Sequence, residues 1–148
     1  MSENQSSDET LRTVDMVQIG PRRYKATNGR GGVLPIGSGE DPDFTPVELL
    51  LAALAGCGAI DVDHVVGKRA PVGISAHVEG HKVRDEGGNH LVGLTVTLDV
   101  DLPEGEAGDA ARAVLPRTLT QVQERLCTVG RTVTLGDPVQ YRLADQAD

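Results

Sequence analysis

Large aromatic residues are nearly missing from this chain. It has no Trp, one Phe and two Tyr in 148 residues. A core of Val, Leu, Ile and Ala buries less area per side chain than one with rings. The length suffices for one domain with a core, and a homodimer would supplement it with interface burial. Positive charge is also short. Lys and Arg number 14 against 22 Asp and Glu, a net charge of −8, which argues against a nucleic-acid partner. The first ten residues contain no apolar stretch, so they read as a polar tail and not a secretory leader. Two cysteines do not make a disulfide scaffold, and the default location is the cytoplasm. Neither C-x-x-C nor a His pair at ligand spacing is present. No metal site is therefore expected, and His77 and His81 read as residues of a solvated hairpin. With no internal repeat or low-complexity linker, the expectation is a single domain over residues 11–144, between tails at 1–10 and 145–148.

What the chain does have is one dense apolar stretch, PVELLLAALAGCGAIDV, starting at Pro46. Thr45 can cap a helix there, with Pro46 at its first position and Glu48 at its third, forming a capping box. Every residue from 47 to 55 except Glu48 is apolar, which predicts a helix buried all round. That apolar run is too short to span a bilayer. Cys57 lies between Gly56 and Gly58. Each glycine costs a helix roughly 1 kcal/mol relative to Ala, so close packing or access to the sulfur must compensate. The helix is expected to reach Lys68 or Arg69, before Pro71 stops it.

Strands are expected over residues 13–19, 22–27 and 33–36, with Asn28-Gly29 as a type I′ turn and Pro35 marking an edge strand. Alternation over 72–83, and at Leu94, Val96, Leu98 and Val100, predicts an antiparallel hairpin around a loop at 85–89. A second helix should run from about 106 to 126, with Ala111, Leu115, Leu119, Val122 and Leu126 as its apolar stripe and a kink at Pro116. Two short strands are expected near 131–135 and 139–143. The order is βββ-α-ββ-α-ββ, an α+β fold around a long buried central helix.

A thiol attacks as its thiolate, which positive charge stabilises. Arg30, in a glycine-rich corner, and Arg131, four residues after Cys127, are the candidate cations. Asp61 and His64 share a helical face with Cys57. Asp61 opposes a thiolate by like charge. His64 lies two turns from Cys57, about 10 Å along the axis, too far to take its proton directly. Cys57 and Cys127 could form a redox pair, though spacing alone gives no distance.

The Pro46-led stretch through Val62, together with LCTVGR at 126–131, closely resembles the OsmC/Ohr family over nearly the whole chain after its N-terminal tail. The resemblance implies an intertwined homodimer with the central helices buried at its interface, and thiol-based reduction of organic hydroperoxides in oxidative stress defence. Cys57 would be the attacking residue, forming a sulfenic acid, and Cys127 the resolving one. Arg30 resembles the family's activating Arg. Glu48, Asp61 and Arg131 are supporting candidates. No cofactor is implied. The reductant would be a dithiol, in some relatives a lipoylated protein, and no nucleic acid or membrane is involved. Val47 stands where well-characterised family reductases carry a Glu. Glu48, one step later, is turned about 180° from the sulfur on a straight helix. The wording of the helix resembles the OsmC-like branch. A second reading follows from Val47: a weakly catalytic dimer that binds or senses an apolar or electrophilic small molecule.

Overall fold

Three short strands open the computed structural model, which describes residues 8–144. Residues 1–7 and 145–148 of the expected tails lie outside that range. Residues 8–10 form an exposed turn in which Asp8 accepts from the amide and hydroxyl of Thr10. The chain divides into two compact units, Met1–Leu49 and Leu50–Asp148.

In the first unit β1 (Asp15–Gly20), β2 (Arg23–Thr27) and β3 (Val33–Ile36) form an antiparallel sheet in that order. Pro35 is on the edge strand β3 and pairs in register with Lys25, where a missing amide is tolerated. The corner after β2 is not a type I′ turn. That turn needs positive φ at both central residues, and here only Gly31 has it, at 90°. Instead the Asn28 side chain accepts from the amides of Arg30 and Gly32 at 3.0 and 2.9 Å, so a side chain closes the corner. The acidic loop after β3 returns to the sheet. Arg23 reaches Asp41 and Asp43 at 3.4 and 3.1 Å, and Arg22 reaches Glu40 at 3.1 Å.

The capping box is present. Glu48 accepts from the Thr45 amide at 2.9 Å, and the Glu48 amide donates to the Thr45 hydroxyl at 3.2 Å. The Thr45 amide, helped by its hydroxyl, holds the Glu48 carboxyl below its ordinary range. A depressed carboxyl contributes stability above its unfolded value and loses it as pH falls through the folded one. Thr45→Ala should cost about 1 kcal/mol and remove only the smaller, hydroxyl part of that acid dependence, because the amide remains; urea midpoints across the carboxylate range check both.

α1 (Pro46–Val66) stops before Lys68 and Arg69. At 21 residues it is long and apolar enough, by length and composition alone, to cross a membrane, a test that core helices also pass. It is not buried all round. Leu54, Gly58, Val62 and Val66 are buried, whereas Ala52, Ala53 and Ile60 are exposed. The buried face has a partner. Val62 and Val66, both at 0% exposure, join Ala70, Leu102, Ala111, Val122 and Cys127 in the core of the second unit.

β4 (Gly73–Asp85) and β5 (Gly88–Asp101) form the expected hairpin. Its turn is tighter than the expected loop, because Gly88 takes positive φ and Asp85 accepts from the Gly87 amide. Leu94, Val96, Leu98 and Val100 alternate with exposed Thr95, Thr97 and Asp99, as period two requires. His77 and His81 are exposed.

α2 (Glu106–Gln121) continues through Pro116. Both Arg112, whose carbonyl loses its helical donor there, and Pro116 are exposed, so solvent can satisfy the freed acceptor. The irregularity falls later, as a π-helical turn at Val122–Leu126 in which the Cys127 amide reaches back to the Val122 carbonyl at 3.0 Å. The buried positions are Gly108, Ala111, Thr118 and Val122, while Leu119 and Leu126 are 41% and 43% exposed. Thr118 can be buried because its hydroxyl donates to the Val114 carbonyl at 2.9 Å.

The two final strands are absent from the described residues. Residues 128–135 form α3 (Thr128–Leu135), and 139–143 have no regular structure. The order is therefore βββ-α-ββ-α-α, still α+β. Thr128, Val129, Thr132, Val133 and Thr134 favour strands by their β-branching, but local bonds decide for helix. Cys127 Sγ accepts from the Gly130 amide at 3.3 Å, the Thr132 hydroxyl donates to the Thr128 carbonyl at 2.7 Å, and Gly136 closes the end with φ 67°.

Candidate functional site

The second unit brings the two sulfurs together. Cys57 sits on the half-buried side of α1, and one turn later Asp61 extends from the same face. The π turn ends at Cys127, which caps α3. Cys57 Sγ, a carboxylate oxygen of Asp61 and Cys127 Sγ all lie within 4.8 Å of one another. Both cysteines are free thiols. Cys127 is 6% exposed and packs in the core, with half-buried Cys57 against it. That separation is wider than a disulfide bond.

The electrostatics oppose ionisation of Cys127. Burial pushes its thiol up; the Gly130 amide pulls the other way, and Cys57 and Asp61 both raise it further. Among the described residues of this unit no cation is among these influences. Arg131 lies in the first turn of α3, and its amide bonds the Cys127 carbonyl at 2.8 Å. The Asp61 Oδ2 atom is buried without a hydrogen-bond partner among the described residues.

A cleft of about 470 Å³ borders Cys127. Leu54, Leu94, Leu98, Leu119, Val122 and Val133 give it apolar walls, and Cys57 is not among its lining residues. The glycines flanking Cys57 differ. A Cβ on Gly58 would make ordinary contact with Val122 at 3.9 Å, while one on Gly56 would meet nothing within 4 Å. Close packing within this chain therefore explains neither fully.

The remaining candidates are placed as follows. Arg30 is exposed at the β2–β3 corner of the first unit. Glu48 is engaged by Thr45 in the cap. His64 is exposed near the end of α1. Sequence reasoning missed the Gly130 amide and the π turn. The four residues Cys-x-x-Gly resemble a helix N-terminus with sulfur as the capping acceptor, a signal masked by the β-branched residues around it.

A free cysteine pair held between the central helix and the end of the next one defines a thiol-bearing α+β protein. The profile of the family described as OsmC-like protein matches residues 37–142. An uncharacterised protein of Mycobacterium tuberculosis is 34% identical over 132 residues, covering 86% of this chain and 93% of that protein. The chain belongs to the OsmC-like family. Its fold resembles that of an OsmC-like protein of unknown function from Vibrio cholerae, with a TM-score of 0.70 and 12% identity over 83% of this chain and 93% of the other. It also resembles that of the organic hydroperoxide resistance protein OhrB of Bacillus subtilis, with a TM-score of 0.52 and 19% identity over 81% and 90%.

Proposed function

We propose that this protein is a cysteine-based peroxidase that reduces organic hydroperoxides to alcohols in oxidative stress defence. The observation that carries the reading is the pair of free sulfurs within 4.8 Å. In the reaction, the Cys57 thiolate attacks the O–O bond. The peroxide's outer oxygen passes to sulfur, the alkoxide leaves as an alcohol after taking a proton, and Cys57 becomes a sulfenic acid. The Cys127 thiol then condenses with it, giving a disulfide and water. A dithiol, such as a lipoylated protein, returns both thiols and is itself oxidised. The assignment of Cys57 to attack is supported by its partial exposure beside a Cys127 whose thiol burial keeps protonated. Arg30 is our candidate for the activating cation, on resemblance. The apolar walls of the cleft suit an alkyl or aryl hydroperoxide over hydrogen peroxide. A cytoplasmic location suits two free thiols. The test is the fate of the thiols on exposure to cumene hydroperoxide, argued in the Discussion.

A second reading is favoured by Asp61 and Val47. Asp61 adds negative charge beside the sulfurs, which opposes a thiolate, and Val47 removes the carboxylate found in family reductases. On this reading the dimer binds or senses an apolar or electrophilic small molecule, with an adduct at Cys57 and little turnover.

Both readings use a homodimer. Its support is the apolar face of α1 left uncovered in one chain: Ala52, Ala53 and Ile60, the last 70% exposed. Open space over Gly56 is where a second helix could approach. Sedimentation at micromolar concentration should give twice the chain mass of 15.6 kDa, and Ile60→Lys should shift the equilibrium towards one chain. A wild-type species of single-chain mass would remove the dimer.

A further inference from the structure

Three ligating groups, two thiols and a carboxylate, meet at one point. Cys57 and Asp61 are four residues apart on α1, and Cys127 arrives from the π turn, so that one atom of each lies within 4.8 Å of the other two. The Asp61 Oδ2 atom is shut off from solvent and has no hydrogen-bond partner among the described residues. A buried carboxylate oxygen without a donor carries an uncompensated desolvation cost. A catalytic thiolate does not relieve this, because both are anions. A cation between the three groups does.

From this convergence we propose that the reduced protein binds one zinc-class divalent cation per chain, through Cys57 Sγ, the Asp61 carboxylate and Cys127 Sγ. Two thiolates with one carboxylate suit a borderline-soft metal, and sulfur ligands disfavour magnesium or calcium. Tetrahedral bonds of about 2.3 Å to sulfur and ~2.1 Å to oxygen set ligand atoms roughly 3.5–3.8 Å apart. The three groups need to close by roughly 1.0–1.3 Å at most from their upper limit of 4.8 Å. Binding releases two protons from the thiols and changes no oxidation state. Two neutral thiols and one carboxylate, net −1, become two thiolates and a carboxylate around a dication, again net −1, and the orphaned oxygen gains its partner. Three protein ligands leave a fourth position for water or another ligand. Sequence spacing hides such a site, since its ligands form a C-x-x-x-D pair on one helix and a cysteine from another element. The inference does not depend on peroxide turnover, although it uses two of the same side chains. A disulfide between Cys57 and Cys127 consumes both sulfur ligands, so metal binding and oxidation exclude one another.

The test is anaerobic titration of the reduced full chain with cobalt(II), followed by zinc displacement. The expected result is one cobalt per chain with a near-ultraviolet thiolate-to-cobalt charge-transfer band. Asp61→Asn keeps both thiols and should weaken binding by more than roughly tenfold, the lower end of the effect of losing even an outer-shell partner. Oxidising the wild type to its disulfide should abolish the band, and reduction should restore it. A reduced protein with two titratable thiols and no band overturns the site. So does an Asp61→Asn variant that binds as tightly as the wild type. Should that variant unfold, X-ray absorption of the zinc-loaded wild type decides. Two sulfur scatterers with light atoms are expected, and any other sulfur count overturns the assignment. Peroxidase activity enters none of these readouts, so failure of the peroxidase reading and failure of the metal site are separately visible.

Discussion

One equivalent of cumene hydroperoxide should remove both free thiols of the reduced protein and leave a Cys57–Cys127 linkage, detectable by peptide mass spectrometry. Two sulfurs already within 4.8 Å are close neighbours when one becomes a sulfenic acid. Cys57→Ser should lower turnover on the order of 10³-fold or more, since a serine hydroxyl cannot replace the attacking thiolate. Cys127→Ser should still react once and leave a sulfenic acid on Cys57 that a dimedone probe traps. The reverse pattern, with trapping at Cys127 in the Cys57→Ser protein, would exchange the two roles. It has a physical basis to be checked, because Cys127 and not Cys57 borders the apolar cleft. Two free thiols after exposure would sink the peroxidase reading and turn attention to ligand binding. The anionic neighbour Asp61 and the raised Cys127 thiol would then account for the inactivity.

Gly108→Ala should destabilise the protein by about 1–3 kcal/mol, the usual scale of overpacking. The direction runs against helix propensity, by which Ala in place of Gly gains roughly 1 kcal/mol. Gly108 lies in the first turn of α2 and is buried, and a Cβ there would collide with the Pro103 carbonyl oxygen. That oxygen also accepts from the Arg112 guanidinium at 3.0 Å, and the Leu102 carbonyl accepts from it at 2.9 Å. Relief of the collision therefore disturbs the bonds that tie the end of β5 to α2. Gly58→Ala is the matched control, since its Cβ would sit at an ordinary 3.9 Å from Val122. Urea midpoints that fall for Gly108→Ala and hold or rise for Gly58→Ala are the expected pair. A Gly108→Ala protein as stable as the wild type would mean that the close approach of Pro103 is not maintained in solution.

The elements with a strong local signal were legible. The capping box at Thr45 and Glu48 marks the start of α1 through side-chain chemistry within four residues. The alternation of β5 follows from period two on a half-buried sheet. Errors came where a local preference met a non-local or unusual partner. Leu119 and Leu126 look like core by hydropathy, but Thr118 takes a core position because its hydroxyl bonds within its own helix. The π turn shifts the face that follows it, and no simple residue pattern announces it. The β-branched run after Cys127 reads as strand until the sulfur, the Thr132 hydroxyl and Gly136 are seen to close a helix.

By itself the sequence determined the family, the α+β class, the long central helix and the two cysteines that matter, because capping, periodicity and a distinctive motif are encoded over short spans. Only the tertiary structure decided that the two sulfurs meet, that Asp61 joins them, and that its buried oxygen has no partner among the described residues. Those facts depend on packing between α1 and the end of the π turn, some seventy residues apart in the chain. Residue spacing gives no distance across such a gap, and burial and charge there are set by the neighbours that packing supplies.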